Sequence, residues 1–199
     1  MKAVRIVLGV VGLLVMIVGG CTWTSYNGLV STDNNVEKSW ANVQSAYQQR
    51  MDTLPKFAKT AKLSAEFQIA LQERYVNARN AVNTAAENGD PAQLENVANA
   101  QFEGLRSFLT IQVEAVPEAK TEQLTELNAQ IESVERVIKH ERDAYNQSVK
   151  NYKDKARKFP GNTVAGMFGF DANKFRPFQA SQEAQTSPNL DLDLDLNRK

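Results

Sequence analysis

The chain has 199 residues, in which 23 Lys and Arg balance 23 Asp and Glu, with one histidine and one cysteine. This balance gives no basic field to hold nucleic acid or an anionic lipid surface, and a lone cysteine excludes an intramolecular disulfide, so folding rests on packing. Glycine and proline are sparse, and strand-like alternation is absent until the C-terminal tail, so the expected class is all-α.

The N-terminus reads as a tether. Lys2 and Arg5 precede an apolar run from Ile6 to Val18, followed by Gly19-Gly20-Cys21. From Ile6 to Thr24 a helix would reach about 28 Å at ~1.5 Å per residue, close to the hydrocarbon thickness, with Trp23 and Tyr26 suited to the interface. The 13-residue apolar core with Gly9 and Gly12 equally suits a signal peptide, and Val18-Gly19-Gly20-Cys21 resembles a bacterial lipobox, with cleavage before a lipidated Cys21. Lipoprotein and uncleaved transmembrane helix are both open readings, and membrane lipid is the expected partner in each. Because the first basic residue after the run is Lys38, the positive-inside bias places the bulk of the chain outside the cytoplasmic membrane. Cleavage would remove two of the 23 basic residues and leave a net charge of −2.

From Tyr26 a stripe of Leu29, Val36, Trp40, Val43, Tyr47 and Leu54 predicts a first bundle helix, interrupted by Asp33 and Arg50 and ended or kinked at Pro55. A second stripe, Phe57, Ala61, Ser64, Phe67, Leu71, Tyr75, Ala78, Val82 and Ala85, stops at Asn88-Gly89-Asp90-Pro91, where Asp90 caps and Pro91 opens the next helix. The third helix carries Leu94, Ala98, Phe102, Leu105 and Leu109, and Pro117 ends it. A fourth, from a Thr121 cap, carries Leu127, Ile131, Val134, Ile138, Tyr145, Val149 and Tyr152 and stops before Phe159-Pro160-Gly161. Narrow stripes joined by short connections predict an antiparallel four-helix bundle, with the first two segments open to being one helix kinked at Pro55 because the stripe keeps its phase across it. An aromatic segment from Asn162 to Phe178 should fold back over the bundle end. The division is therefore an anchor segment (1–24), a bundle with its aromatic segment (25–178) and an acidic Leu-Asp tail (179–199) expected to be disordered. The alternation from Leu190 to Leu196 also suits addition to a partner's sheet edge, and its aspartates suit a weak calcium site.

Chemistry is thinly supplied. His140 is the only histidine, with Val137 rather than glutamate three residues before it, so neither a His-based zinc site nor a Glu-x-x-His metal pair can be assembled. There is no nucleophile pair beyond that histidine and no phosphate loop. Glu132 and Glu135 remain as carboxylates that could face Glu66, Glu73 or Glu103 on other helices, against the plainer reading of a solvated face alternating with Arg136, Lys139 and Arg142. No cofactor and no catalysis are expected. Two function classes follow: an anchored interaction or scaffold protein of the envelope with a protein partner, and a ligand- or metal-binding bundle using buried carboxylates.

The residues at the helix ends resemble the LemA family. The resemblance begins at Tyr26-Asn27-Gly28-Leu29-Val30 and runs through Asn35-Val36, Ser39-Trp40-Ala41 and Arg50-Met51-Asp52-Thr53-Leu54-Pro55. It resumes at Ala78-Arg79, at Glu114-Ala115-Val116-Pro117-Glu118-Ala119-Lys120 and at Ile131-Glu132-Ser133-Val134-Glu135. The most specific stretch is Tyr145-Asn146, Val149, Tyr152 and Phe159-Pro160-Gly161-Asn162, followed by Ala165, Phe168-Gly169-Phe170 and Phe175. Departures fall at Gln49, Val116, Ala119 and Cys21. The resemblance implies a membrane-anchored helical bundle of bacterial origin, with no catalytic residue to carry over.

Overall fold

The computed structural model describes residues 2–61, 63–114 and 121–179, with the side chains of 112–114 and 121–124 left aside. Val116, Pro117, Ala119 and the tail from residue 180, with its alternating leucines and aspartates, lie outside the described residues. Among those described there are helices and no strand: α1 (Lys2–Thr60), α2 (Ala65–Glu87), α3 (Pro91–Glu114), α4 (Thr121–Arg157) and α5 (Gly161–Phe168). The all-α class stands, and the eight-residue α5 is an element that the stripe pattern did not reveal.

α1 is a single helix of 59 residues, about 88 Å at ~1.5 Å per residue. Its N-terminal stretch is exposed, and it is long and apolar enough to cross a membrane. Thr22 and Thr24 return their hydroxyls to the carbonyls of Val18 and Gly20 at 2.8 and 2.9 Å, so both hydroxyls are satisfied within the helix. The helix then passes without interruption into the bundle.

Pro55 does not end α1 either; it sits inside it. The proline removes one backbone hydrogen bond at a cost of about 3 kcal/mol. Leu54, Phe57 and Ala58 on either side are buried, and two large apolar side chains at roughly 1.5–3 kcal/mol each offset that cost. The break comes later, at residues 61–64. Ala61 N–H still donates to Phe57 O at 2.8 Å, and Ser64 Oγ accepts from Phe67 N–H at 3.3 Å as the N-cap of α2. The second helix therefore begins at Ala65, not near Phe57; Phe57 and Ala61 belong to the first stripe, and exposed Ser64 is a cap, not a core position. The α2–α3 junction follows the sequence: Gly89 takes φ +66°, Asp90 Oδ1 accepts from Ala92 N–H at 3.1 Å and Pro91 is the first helical residue.

α1 packs chiefly on α4, and α2 on α3. Residue numbers rise along α1 as they fall along α4: Gly28 lies against Lys155, the Ser39 and Ser148 hydroxyls are 2.9 Å apart, and Arg50 meets Glu135. One continuous core runs from Val36 to Phe57 on α1 and gathers Leu71 and Val82, Leu94 and Phe102, and Ile138, Tyr145 and Tyr152 from the other helices. A smaller cluster of Leu29, Ala156, Val164 and Ala165 lies under α5.

Candidate functional site

Two polar arrangements stand out: a strap that follows α5, and a charged node within the bundle. The strap, residues 170–179, leaves α5 after Gly169, whose φ of +77° closes the helix in the left-handed region that glycine tolerates. It does not stay over the bundle end as the sequence suggested. It runs along α4, toward that helix's N-terminal side, and side chains of α4 hold it by its backbone. Tyr152 OH donates to Asp171 O at 3.0 Å, and two turns earlier Tyr145 OH donates to Arg176 O at 3.0 Å. Asn146 makes a reciprocal pair: Nδ2 donates to Phe178 O at 3.1 Å, and Oδ1 accepts from Phe178 N–H at 2.8 Å. A side-chain amide thus stands in for the neighbouring strand that the strap lacks.

Aromatic rings fix the strap from below. Phe178 is buried between Trp40 and Tyr145, with centroids 6.0 and 5.6 Å away, and Phe175 sits edge-on to Tyr152 at 5.2 Å. Trp40 also donates from Nε1 to Ala86 O at 3.3 Å, which ties the end of α2 to α1. Nearer the anchor, Tyr26 packs against Phe168 and Phe170 at 4.9 and 5.8 Å. Burial pushes the Tyr145 phenol up to about 12, and burial with Asp33 and Asp171 raises Tyr152. Both remain neutral donors at physiological pH.

The node is built around Arg50, which the sequence presented as an interruption of the apolar stripe. It is buried. Its Nη1 donates to Asn99 Oδ1 at 2.7 Å, its plane lies 4.0 Å above the Phe102 ring, and Nε stands 2.6 Å from Glu135 Oε1 as a charge contact without a well-directed hydrogen bond. Desolvation lowers the Arg50 pKa, with Glu135 and then Glu103 opposing the shift. A second pair, Arg142 and Glu95 at 2.6 Å, bridges α4 to α3; Arg142 also covers the Phe178 ring at 4.7 Å and donates to Gln179 O. Burial beside these charges pushes Tyr47 up to about 12. Position gave the available signal: Arg50 sits in phase with the stripe, where a charged residue needs a partner on the facing helix.

The other residues singled out in the sequence divide clearly. Tyr26, Trp40, Tyr145, Asn146, Tyr152, Phe168 and Phe170 come together along the α1–α4 seam. Arg79 is exposed and donates to Tyr75 OH at 3.4 Å, while that phenol donates to Asp52, so Arg79 and the Asp52 turn of α1 share one chain of contacts. Asn27, Cys21 and Phe159 are exposed, and Pro160 follows Phe159 through a cis peptide. His140 is exposed as well.

The carboxylates that could have faced one another meet guanidinium groups or solvent, in line with the plainer reading of a charged face. Glu135 pairs with Arg50, Glu132 with Arg136 at 2.8 Å and Glu103 with Arg106 at 3.8 Å, while Glu66 and Glu73 are exposed. Among the described residues no group of three or more His, Cys, Asp or Glu could hold a metal ion. A groove of about 480 Å³ lies at the anchor end, between Ser25 and Thr32 of α1 and Lys155, Lys158 and Phe159. The polar groups of the seam and node are thus spent on internal hydrogen bonds, which makes the arrangement a brace for the bundle. In comparison with known sequences, the model of the LemA family matches residues 39–192. No curated protein and no solved structure matches the chain.

Proposed function

Because the chain belongs to the LemA family and carries an N-terminal apolar helix that fits membrane anchoring, we propose that it is a non-catalytic interaction or scaffold module of a bacterial cell envelope. In this reading an antiparallel four-helix bundle stands outside the cytoplasmic membrane, with Lys2 and Arg5 inside. The observation that supports it is the continuity of α1, one helix through the apolar stretch and the bundle, together with the exposed polar faces of α2, α3 and α4 that a partner could use. Internal pairing of the seam and node supports a structural over a chemical role, and the alternative of a carboxylate ligand or metal site has no comparable support.

Two measurements test the proposal. Intact-mass spectrometry of the membrane-extracted chain beside Cys21→Ala fixes the anchor: loss of residues 1–20 with added acyl mass makes it a lipoprotein, and an unprocessed chain makes α1 a span. Photo-crosslinkers placed at exposed positions of α2 and α4 in intact cells should then give the same protein adduct from one face and none from the other faces. Absence of any reproducible adduct, or labelling of the bundle by cytoplasmic probes alone, would refute the scaffold role or its placement respectively.

A further inference from the structure

Exposed apolar side chains are unevenly placed on this molecule. Beyond Val18, nine large apolar residues are exposed among those described, and five of them, Trp23, Tyr26, Phe159, Met167 and Phe168, gather at the anchor end of the bundle. Phe159, Trp23 and Met167 are 84%, 71% and 69% exposed, values that a water-facing surface rarely concentrates in one place. α5 turns Val164 and Ala165 into the bundle and leaves Met167 and Phe168 outside it.

The height of this patch follows from α1. Phe168 rests on Tyr26, which lies only about 4–5 Å along the axis beyond Trp23 at ~1.5 Å per residue. An apolar run that starts near Val4 and fills about 30 Å of hydrocarbon ends close to Trp23. The patch is therefore level with the headgroup layer and continuous with the membrane-facing surface of the anchor.

Charge completes the pattern. The whole chain is neutral, but residues 150–158 carry Lys150, Lys153, Lys155, Arg157 and Lys158 against Asp154 alone, at the end of α4 that reaches Gly28. Part of this charge serves the helix itself, since Lys155 and Arg157 occupy its last turn, Lys158 pairs with Asp154 at 3.1 Å and Arg157 donates to Asn173. Lys155, Arg157 and Lys158 are nonetheless exposed, and Lys155 and Lys158 line the same groove as exposed Phe159, which is the composition of an interfacial membrane surface.

We infer that the anchor end of the bundle is itself a membrane-docking surface, with Phe159, Met167 and Phe168 set into the headgroup layer and Lys155, Arg157 and Lys158 against anionic phospholipid. This goes beyond the scaffold reading, which would survive a bundle held clear of the bilayer on its stalk. Docking makes a second contact of the chain with lipid and restricts the angle at which the bundle stands.

The test uses the full chain, carrying Cys21→Ser, in vesicles of phosphatidylcholine with or without phosphatidylglycerol. A nitroxide is placed by Met167→Cys or Phe159→Cys, with Ile111→Cys as the control, an exposed apolar position near the C-terminus of α3. The ratio of oxygen to nickel-chelate accessibility at positions 167 and 159 should be several-fold above that at 111. It should rise further with phosphatidylglycerol, and the combined Lys155→Gln, Arg157→Gln and Lys158→Gln variant should lose that rise. Ratios equal to the control in both vesicles would overturn the docking, and raised ratios indifferent to phosphatidylglycerol would overturn the assignment of anionic headgroups. The lipid comparison on the unaltered basic residues stands whether or not the triple variant folds.

Discussion

Replacing Asn146 by alanine isolates the device that holds the strap. The substitution removes two hydrogen bonds to Phe178, of 2.8 and 3.1 Å, and touches neither the Tyr145 nor the Tyr152 contact. At ~0.5–1.5 kcal/mol net for each, the attached state loses about 2 kcal/mol, or roughly thirtyfold in the strap's opening equilibrium at ~1.4 kcal/mol per decade. Amide hydrogen exchange should report this directly: protection across residues 170–179 falls by about that factor, while the core of α1 and α4 changes far less. Trp40 offers a second readout, because its ring lies 6.0 Å from Phe178. With Trp23→Phe as background it is the sole tryptophan, and its emission should shift to the red as the strap leaves. Unchanged exchange in 170–179, with protection lost evenly across the bundle, would show that Asn146 supports the helices rather than the strap, and the reasoning would fail.

Arg50→Ala should cost about 3 kcal/mol or somewhat less in urea denaturation, since it leaves Asn99 and Glu135 without their cation, although Glu135, 42% exposed, recovers part of this from water. Arg50→Met, which keeps the packing on Phe102, should cost less than alanine; the reverse order would refute the contribution of that packing. Gly161→Ala should destabilise by roughly 1–3 kcal/mol because its Cβ would collide with the Lys155 carbonyl, whereas Gly104→Ala, facing open space inside α3, should stabilise by about 0.5–1 kcal/mol; thermal melts of the pair decide. Stability should also fall in alkali. Tyr47 and Tyr145 ionise at about 12 when folded against 10.0 when free, so the unfolded chain releases protons first and the contribution is lost as pH rises from 10 to about 12. Tyr145→Phe should flatten that decline in the urea midpoint, and an unchanged slope would count against burial as the cause.

Much of the fold was legible because its punctuation is local. Asn88-Gly89-Asp90-Pro91 holds the chemistry of its turn close together in sequence, and α4 starts close to where it was expected, with Thr121 as its first helical residue. Pro55 was misleading because its consequence is not local: whether a helix survives a proline depends on what Leu54 and Phe57 bury against, and those partners lie on other helices. Ser64 kept the spacing of the stripe while serving as a cap, an ambiguity that periodicity alone cannot resolve. The aromatic residues of the seam were placed correctly as bundle residues, and the aromatic segment was expected to fold back, yet its course along α4 was not legible. Its recognition depends on backbone carbonyls at Asp171, Arg176 and Phe178, and carbonyls carry no sequence. Arg50 was legible only as an anomaly, since Asn99 and Glu135 are distant in the chain.

If α1 is the uncleaved span of the two anchor readings, its unbroken course gives the bundle a mechanical relation to the bilayer. From Ser25 to Thr60 the helix extends about 54 Å beyond the span, at ~1.5 Å per residue, so a 10° tilt of the membrane segment would carry the far end sideways by roughly 9 Å. Membranes of different thickness set different tilts, and a stalk without a hinge converts that difference into lateral reach at its tip.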